Sequence, residues 1–164
     1  MATEPSIEHR AEQPCLAVRA TVTAQTIGTV ADRLPGVLSW LAARGIEPAG
    51  APFLRYEIIG AQGQLQLAAG VPVAQAVAGD GDIVAGVLPA GRYARVTHAG
   101  HPEGLPAAAA ALLDWAAGQG FRPDVAHTDQ GERWGCRLEV YRTDPREQPD
   151  PYRWETDLLI RLAG

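Results

Sequence analysis

The sequence predicts an α+β fold made of two similar halves. In this fold, antiparallel sheets carry helices on one face and a ligand cleft on the other. Short segments with alternating apolar residues indicate strands, and two longer segments with apolar residues at helical spacing indicate helices. The order strand, helix, strand, strand occurs twice along the chain. A unit that repeats within one chain predicts two similar folding units packed together.

The first half starts with a weak strand candidate at residues 6–12 and a clear one at residues 15–22, CLAVRATV, where apolar residues alternate. From Thr29 onward apolar residues recur at helical spacing up to Gly45. Pro35 either begins the helix proper in its first turn or kinks it. The segments PFLRYEIIG and QLQLAAGVPV predict two further strands joined near residues 61–63.

The second half repeats this order. Residues 82–88 predict a strand, residues 89–91 a turn, and RYARVTH another strand. The segment GHPEGLPAAAAALLDWAAGQGF predicts a helix, because leucines and Ala116 fall on one face. WGCRLEVYR and RWETDLLIRL predict the last two strands.

The two halves align without a gap over a long stretch. With a shift of 75 residues, Pro14 aligns with Pro89, Trp40 with Trp115 and Gly45 with Gly120. After about ten extra residues in the second half, FLRY aligns with LEVY, so that Tyr56 aligns with Tyr141. We therefore predict one domain over residues 1–164, with one repeat at about 6–77 and the other at about 82–164, related by a pseudo-twofold axis. A joint between repeats is a common place for a small-molecule pocket.

Charge and hydropathy exclude several classes of protein. The formal net charge of −5 argues against a nucleic-acid partner, since phosphate binding needs a basic surface. No helix-turn-helix pattern is present. No apolar run reaches the roughly 20 residues that span a bilayer, and the N-terminal residues lack the pattern of a signal peptide. We expect no membrane partner and a cytoplasmic location.

The sequence predicts no metal and no cofactor. Cys15 and Cys136 lack metal-ligand spacing and are expected to be buried thiols. His98 and His101 lie close together, but two histidines without a third ligand make a weak metal site. No phosphate-binding or dinucleotide glycine motif occurs, and neither serine lies in a nucleophile motif.

The candidate binding residues centre on the segment LEVY. Glu139 and Tyr141 are two residues apart on a strand, so their side chains share one face, with Leu138 and Val140 on the other. We expect the leucine and valine to face the helices and the other pair to face the cleft. The full predicted lining is Glu139, Tyr141 and Tyr56, with Phe53, Tyr93, Trp134 and Trp154.

These residue types are suited to aromatic or cationic ligands. Aromatic rings hold cations by their faces, at about 0.5–2 kcal/mol per contact. A carboxylate among them accepts hydrogen bonds or pairs with a cation, and burial raises its pKa. The same Glu139 is equally suited to act as a general acid or base, with Tyr141 as a proton donor. The structural alternatives are a solvated Glu139 on an open sheet face, or its ion pair with Arg137 or Arg142. For the tyrosines the alternative is core packing, and for the two tryptophans of the predicted lining it is rim packing.

Four segments carry a resemblance to a known family. LPAGRYARVTHAG, DWAAGQGF, LEVYRTDP and WETDLLIRL together resemble the GyrI-like small-molecule-binding family, which includes effector-binding domains of multidrug-responsive regulators. The resemblance implies two strand–helix–strand–strand units around a cleft, with an acidic residue at Glu139 and an aromatic wall that includes Tyr141 and Tyr56. Some stand-alone members hydrolyse cyclopropane-bearing DNA-alkylating natural products with a pocket glutamate.

Two functions follow as hypotheses. The first is a stand-alone protein that binds bulky aromatic or cationic xenobiotics in the cleft. The second is a detoxifying cyclopropanoid hydrolase in which Glu139 activates water and a tyrosine such as Tyr141 protonates the leaving oxygen. A weaker hypothesis is an interaction module acting on a protein partner, such as a modulator of gyrase. The sequence favours binding, because catalysis demands geometry that a sequence does not contain.

Overall fold

A computed structural model describes residues 3–164 and shows an α+β fold with ten strands and three α-helices within that range. The strands are β1 (Ser6–Arg10), β2 (Gln13–Thr23), β3 (Phe53–Ile59), β4 (Gln64–Pro72), β5 (Ile83–Leu88), β6 (Gly91–Ala99), β7 (Val125–Thr128), β8 (Gly131–Trp134), β9 (Arg137–Tyr141) and β10 (Glu155–Arg161). The helices are α1 (Ile27–Ala31), α2 (Leu34–Ala43) and α3 (Leu105–Gly118).

All the strand pairings are antiparallel. The sheet order is β1-β6-β10-β9-β3-β4-β2-β5; outside this order, β8 pairs with Ile58 and Ile59 of β3, and β7 pairs with β8. Strands β3 and β9 meet in the middle of the sheet. Outward from this joint the order is β9-β10-β6 on one side and β3-β4-β2 on the other. Each side therefore places a strand–helix–strand–strand segment of the chain in the same spatial order.

The helices lie on one face of the sheet. Helix α3 packs on Val96, Leu158 and Ile160, and helices α1 and α2 pack on apolar residues of β2, β3 and β4. Helix α2 has Pro35 in its first turn, where a missing N–H costs no helical hydrogen bond. Gly45 follows the helix with φ 68°, a conformation that glycine adopts without strain.

The opposite face of the sheet forms a second core. Cys15, Phe53, Tyr93, Leu138 and Leu159 are buried there in one cluster. These residues come from strands as far apart in the sheet as β2 and β6, so the sheet curls around this core. The Arg55 guanidinium joins it from β3 and donates to the Val87 carbonyl at 3.0 Å and to the Gly135 carbonyl at 2.9 Å.

Two predicted elements differ from the observed ones. The helix expected from Thr29 is two helices, α1 and α2, separated by a turn at residues 32–33. The extra residues of the second half contain the short hairpin β7–β8, which the sequence pattern does not predict. None of the described helices has the length and apolar character needed to cross a membrane.

Candidate functional site

The site is built around Glu139 in the middle of the curled sheet. Strand β9 runs between β10 and β3, so that Glu139 lies opposite Leu158 on one side and Leu54 on the other. Residues opposite each other in antiparallel strands share a face. Because Leu158 packs beneath α3 and Leu54 packs beneath α1 and α2, Glu139 lies on the face that carries the helices.

This placement corrects one expectation from the sequence. Glu139 and Tyr141 share a face as predicted, but it is the helix-bearing face, and Leu138 and Val140 point into the second core. The prediction that helices and cleft lie on opposite faces of the sheet is therefore wrong. The physical reason is that both faces of β9 are covered, so apolar side chains do not identify the helix side.

Two tyrosines hold the Glu139 carboxylate. The Tyr141 hydroxyl donates to Oε1 at 2.8 Å, and the Tyr56 hydroxyl donates to Oε2 at 3.0 Å. Tyr56 comes from β3, on the other side of the central joint. Each carboxylate oxygen thus has a fixed phenol donor, and the carboxylate plane is set by two strands.

The electrostatics of this triad are dominated by burial. Desolvation raises the pKa of Glu139 above its ordinary value of 4.5, while the tyrosine hydrogen bonds and the Arg137 charge oppose that rise. Burial also raises the pKa values of Tyr56 and Tyr141, with Glu139 adding to the rise. Both phenols therefore stay protonated and remain donors at neutral pH.

A cavity of about 160 Å³ opens beside Glu139 and Tyr56. It lies between the sheet and the N-terminal ends of α1 and α3. Its apolar walls come from both helices and from β10 as well as β9, and the lining residues are Ile27, Tyr56, Leu105, Pro106, Ala109, Arg137, Leu138, Glu139, Leu158 and Ile160. A small polar group set in a largely apolar wall is the usual composition of a small-molecule site.

Arg137 is the second charged group of the cavity wall. Its guanidinium lies over the Trp134 ring, 4.5 Å from the ring centroid, and 5.8 Å from the centroid of Tyr56. Burial lowers its pKa from 12.5, and the Tyr56, Glu132 and Glu139 groups oppose that change. It remains a cation in any neutral solution.

The predicted site residues are not all brought together. Glu139 and Tyr56 line the cavity, and Tyr141 holds Glu139. Phe53 and Tyr93 are buried in the second core on the opposite face, so their assignment to the same cleft is wrong.

The two predicted tryptophans also lie outside the cavity lining. Trp134 is buried in the core beneath α3 and supports Arg137. Trp154 donates its indole N–H to the Gln148 carbonyl at 2.6 Å, which fixes the segment before β10.

Sequence reasoning missed Arg137 as a site residue and missed all the helical lining. Arg137 is two residues before Glu139, so the same alternation that paired Glu139 with Tyr141 also indicates it. The contributions of Ile27 and Ala109 carry no comparable signal, because apolar residues of a helix look alike whether they pack on a sheet or on a cavity. Within residues 3–164, no three His, Cys, Asp or Glu side chains are grouped as metal ligands.

Residues 3–163 match the model of the GyrI-like small molecule binding domain. The match covers nearly the whole chain, and the chain therefore belongs to this family. None of the curated protein sequences matches this chain significantly.

Several solved structures share the fold. The EcmrR C-terminal domain is 16% identical, with a TM-score of 0.75, and the alignment covers 98% of this chain and 97% of that one. In the EcmrR–DNA complex, the chain spans 57% of the EcmrR chain and 97% of its own length, at 16% identity and a TM-score of 0.77.

Two further solved structures with this fold are a ligand complex and a hydrolase. SAV2435 bound to tetraphenylphosphonium is 10% identical, with a TM-score of 0.65, and the alignment covers 99% of this chain and 95% of that one. A hydrolase from Listeria innocua is 12% identical, with a TM-score of 0.63, and the alignment covers 98% and 92%. Identities this low show a common fold and nothing more.

Proposed function

We propose that this chain captures planar aromatic ligands, cationic ones included, in the cavity beneath α1 and α3, with Glu139 as the polar anchor. The observation that carries the proposal is the carboxylate held by two phenols in a cavity wall. The family's small-molecule binding and the cationic ligand of SAV2435 support the same conclusion.

The energetics of Glu139 argue for a role in binding. A carboxylate whose pKa is raised by burial makes the folded state less stable at neutral pH, so its presence is not explained by stability. Within residues 3–164, its partners are the two tyrosine hydroxyls, and it forms no ion pair within 4.0 Å. A bound cation or N–H donor would supply the missing compensation.

The size of the cavity decides which ligands enter without rearrangement. Pockets for drug-sized ligands are about 300–1,000 Å³, whereas a cavity of about 150 Å³ holds a single benzene ring. At about 160 Å³ this cavity admits one ring. A bulky ligand therefore requires a helix to move away from the sheet.

Helix α1 is the wall that can move at the lower cost. It has five residues, of which only Val30 is buried, whereas α3 buries four side chains along fourteen residues. Short elements with few buried contacts open more readily than well-packed ones. We expect bulky ligands to displace α1 and leave α3 in place.

The cavity adjoins the joint between the two halves. We take residues 6–77 and 82–164 to be copies of one unit related by a pseudo-twofold axis. The equal spatial order of β9-β10-β6 and β3-β4-β2 supports this, as does the pairing of β3 with β9. In that arrangement Tyr56 and Tyr141 are equivalent residues that converge on one carboxylate.

A hydrolase is the second candidate, and the raised pKa of Glu139 favours it. Such a glutamate is suited to take a proton from water, with Tyr56 or Tyr141 as the acid that protonates the leaving oxygen. Against this, both Glu139 oxygens already accept from phenols, so a water must share an oxygen with a tyrosine. Turnover of a cyclopropane-bearing alkylator that is lost in Glu139→Gln with affinity retained would establish this second function.

The binding proposal is tested with two single-ring probes that fit the cavity. Benzamidine carries a cation and toluene carries no charge. Isothermal titration should show that Glu139→Gln weakens benzamidine about tenfold or more and leaves toluene nearly unchanged, because only the first loses a charge partner. Equal affinities of wild type and variant for benzamidine would contradict the proposal.

A further inference from the structure

The Arg137 guanidinium is a charged donor group with no polar partner among residues 3–164. Among the described residues it donates no hydrogen bond and forms no ion pair, and its contacts are the faces of Trp134 and Tyr56. Two other partly buried arginines behave differently: Arg55 donates to two backbone carbonyls, and Arg161 pairs with Asp124 at 2.7 Å. A guanidinium has five N–H donors, so Arg137 enters the cavity wall with its donors available.

Arg137 and Glu139 stand on the same face of β9, two residues apart. Successive side chains on one face of a strand are separated by about 6.6 Å. No ion pair within 4.0 Å joins them among the described residues, unlike Arg10 and Glu8, which have the same spacing on β1 and pair at 3.1 Å; Arg137 and Glu139 both line the cavity. The cavity wall therefore offers the N–H donors of Arg137 next to the acceptor oxygens of Glu139.

The two formal charges cancel. A cationic ligand that pairs with Glu139 must also sit near the Arg137 cation, and an anionic ligand that pairs with Arg137 must sit near the Glu139 carboxylate. A ligand charge a few ångströms from a protein charge of the same sign, in a site of intermediate dielectric, lowers the affinity by about tenfold or more. A permanent charge of either sign thus gains from one residue and loses to the other.

We infer that Arg137 acts with Glu139 as a donor–acceptor pair that selects neutral aromatic ligands carrying an adjacent acceptor and N–H donor, such as aromatic amides and lactams. The carbonyl oxygen of such a ligand accepts from Arg137, and its N–H donates to Glu139, while the ring enters the apolar part of the cavity. This rests on the proposed function, because it names the ligand class of the same cavity.

Packing alone does not account for the position of Arg137. Stacking on Trp134 uses the face of the guanidinium, and its N–H groups lie in the plane of that group, free to donate. A methionine or leucine would cover Trp134 at lower desolvation cost. The charge at position 137 is therefore explained by the ligand group that it contacts when the cavity is occupied.

Three probes with the same ring separate these possibilities. Benzamide carries an acceptor and a donor, benzamidine is a cation, and benzoate is an anion. We measure their affinities for wild type and Arg137→Met by chemical-shift titration in solution, with melting temperature as the check on folding. Arg133→Met is the matched control, because Arg133 is an exposed arginine of β8.

The expected result is a change in the order of the three affinities. Arg137→Met should weaken benzamide and benzoate about tenfold and strengthen benzamidine by a similar factor, while Arg133→Met changes none of them. Unchanged affinities in Arg137→Met, with a lower melting temperature, would overturn the inference and leave Arg137 as a packing residue. If benzamidine binds and responds to Glu139→Gln but benzamide does not bind, the proposed function stands and this inference fails. If none of the three perturbs the cavity residues of the wild type, both fail.

Discussion

Both faces of strand β9 pack against other parts of the protein, yet they differ in what they contain. Leu138 and Val140 point into a close-packed apolar core with Phe53 and Tyr93. On the other face, Arg137 and Glu139 line a cavity in which a charge is buried with incomplete compensation, and Tyr141 donates a hydrogen bond to Glu139. One face contributes stability and the other gives some up, which is how binding sites commonly differ from cores.

Truncating the apolar face of β9 should have the largest effect on stability. Leu138→Ala should lower the free energy of unfolding by about 2–5 kcal/mol, because Leu138 is 2% exposed and leaves a cavity in the second core. Glu139→Gln, one residue further, should stay within about 1 kcal/mol of wild type, since the amide keeps a hydrogen bond to each tyrosine. Denaturant unfolding at neutral pH measures both, and a larger loss in Glu139→Gln would reverse our assignment of the faces.

A second test fills the cavity and leaves its polar wall intact. Ala109→Leu on α3 should reduce the affinity for benzamidine and toluene at least tenfold, because the added side chain occupies space in a cavity of about 160 Å³. Ala110→Leu is the control, since Ala110 is exposed on the same helix. Equal affinities of the two variants would place the ligand elsewhere.

The two tyrosines that bond Glu139 oppose the rise that burial causes in the pKa of its carboxyl group. Tyr56→Phe and Tyr141→Phe each remove a hydrogen bond that lowers the pKa of Glu139, so each should raise that pKa further. The pH midpoint of benzamidine binding should move upward in both variants. Tyr152→Phe serves as control because Tyr152 is 74% exposed. A downward shift would mean that the phenols do not stabilise the carboxylate.

The smallest effect is the pH dependence of stability. The folded-state pKa of Glu139 is raised, so its protonated form contributes stability that is complete below the ordinary value of 4.5 and is lost as the pH rises through the folded-state pKa. The stability of wild type relative to Glu139→Gln should therefore fall as the pH rises above 4.5, until Glu139 is fully ionised in the folded state. A relative stability that rises over this range would show that the pKa is lowered by the fold.

The sequence predicted much of the fold and part of the site, for identifiable reasons. Alternation of apolar residues located the strands, and Pro35 and Gly45 marked the ends of α2. The same alternation placed Glu139 beside Tyr141, and the alignment of the halves indicated Tyr56, which does hold the same carboxylate.

What the sequence did not contain was the curl of the sheet. Because the sheet closes around a second core, Leu138 is buried and Val140 partly buried without a helix above them, and Phe53 and Tyr93 lie in that core and not in the cleft. Alternation assigns side chains to two faces but does not say what covers each face. The helical wall at Ala109 depends on that same long-range packing.

Proton release on ligand binding shows directly whether a cationic ligand binds next to the Glu139 carboxylate. A cation next to Glu139 should lower the raised pKa of that carboxyl, so benzamidine should release protons from the wild type, most strongly at a pH where Glu139 is partly protonated. Titration calorimetry in two buffers of different ionisation enthalpy measures this release. We predict release in the wild type and none in Glu139→Gln. The same proton release in both proteins, or none in either at any pH, would contradict the account.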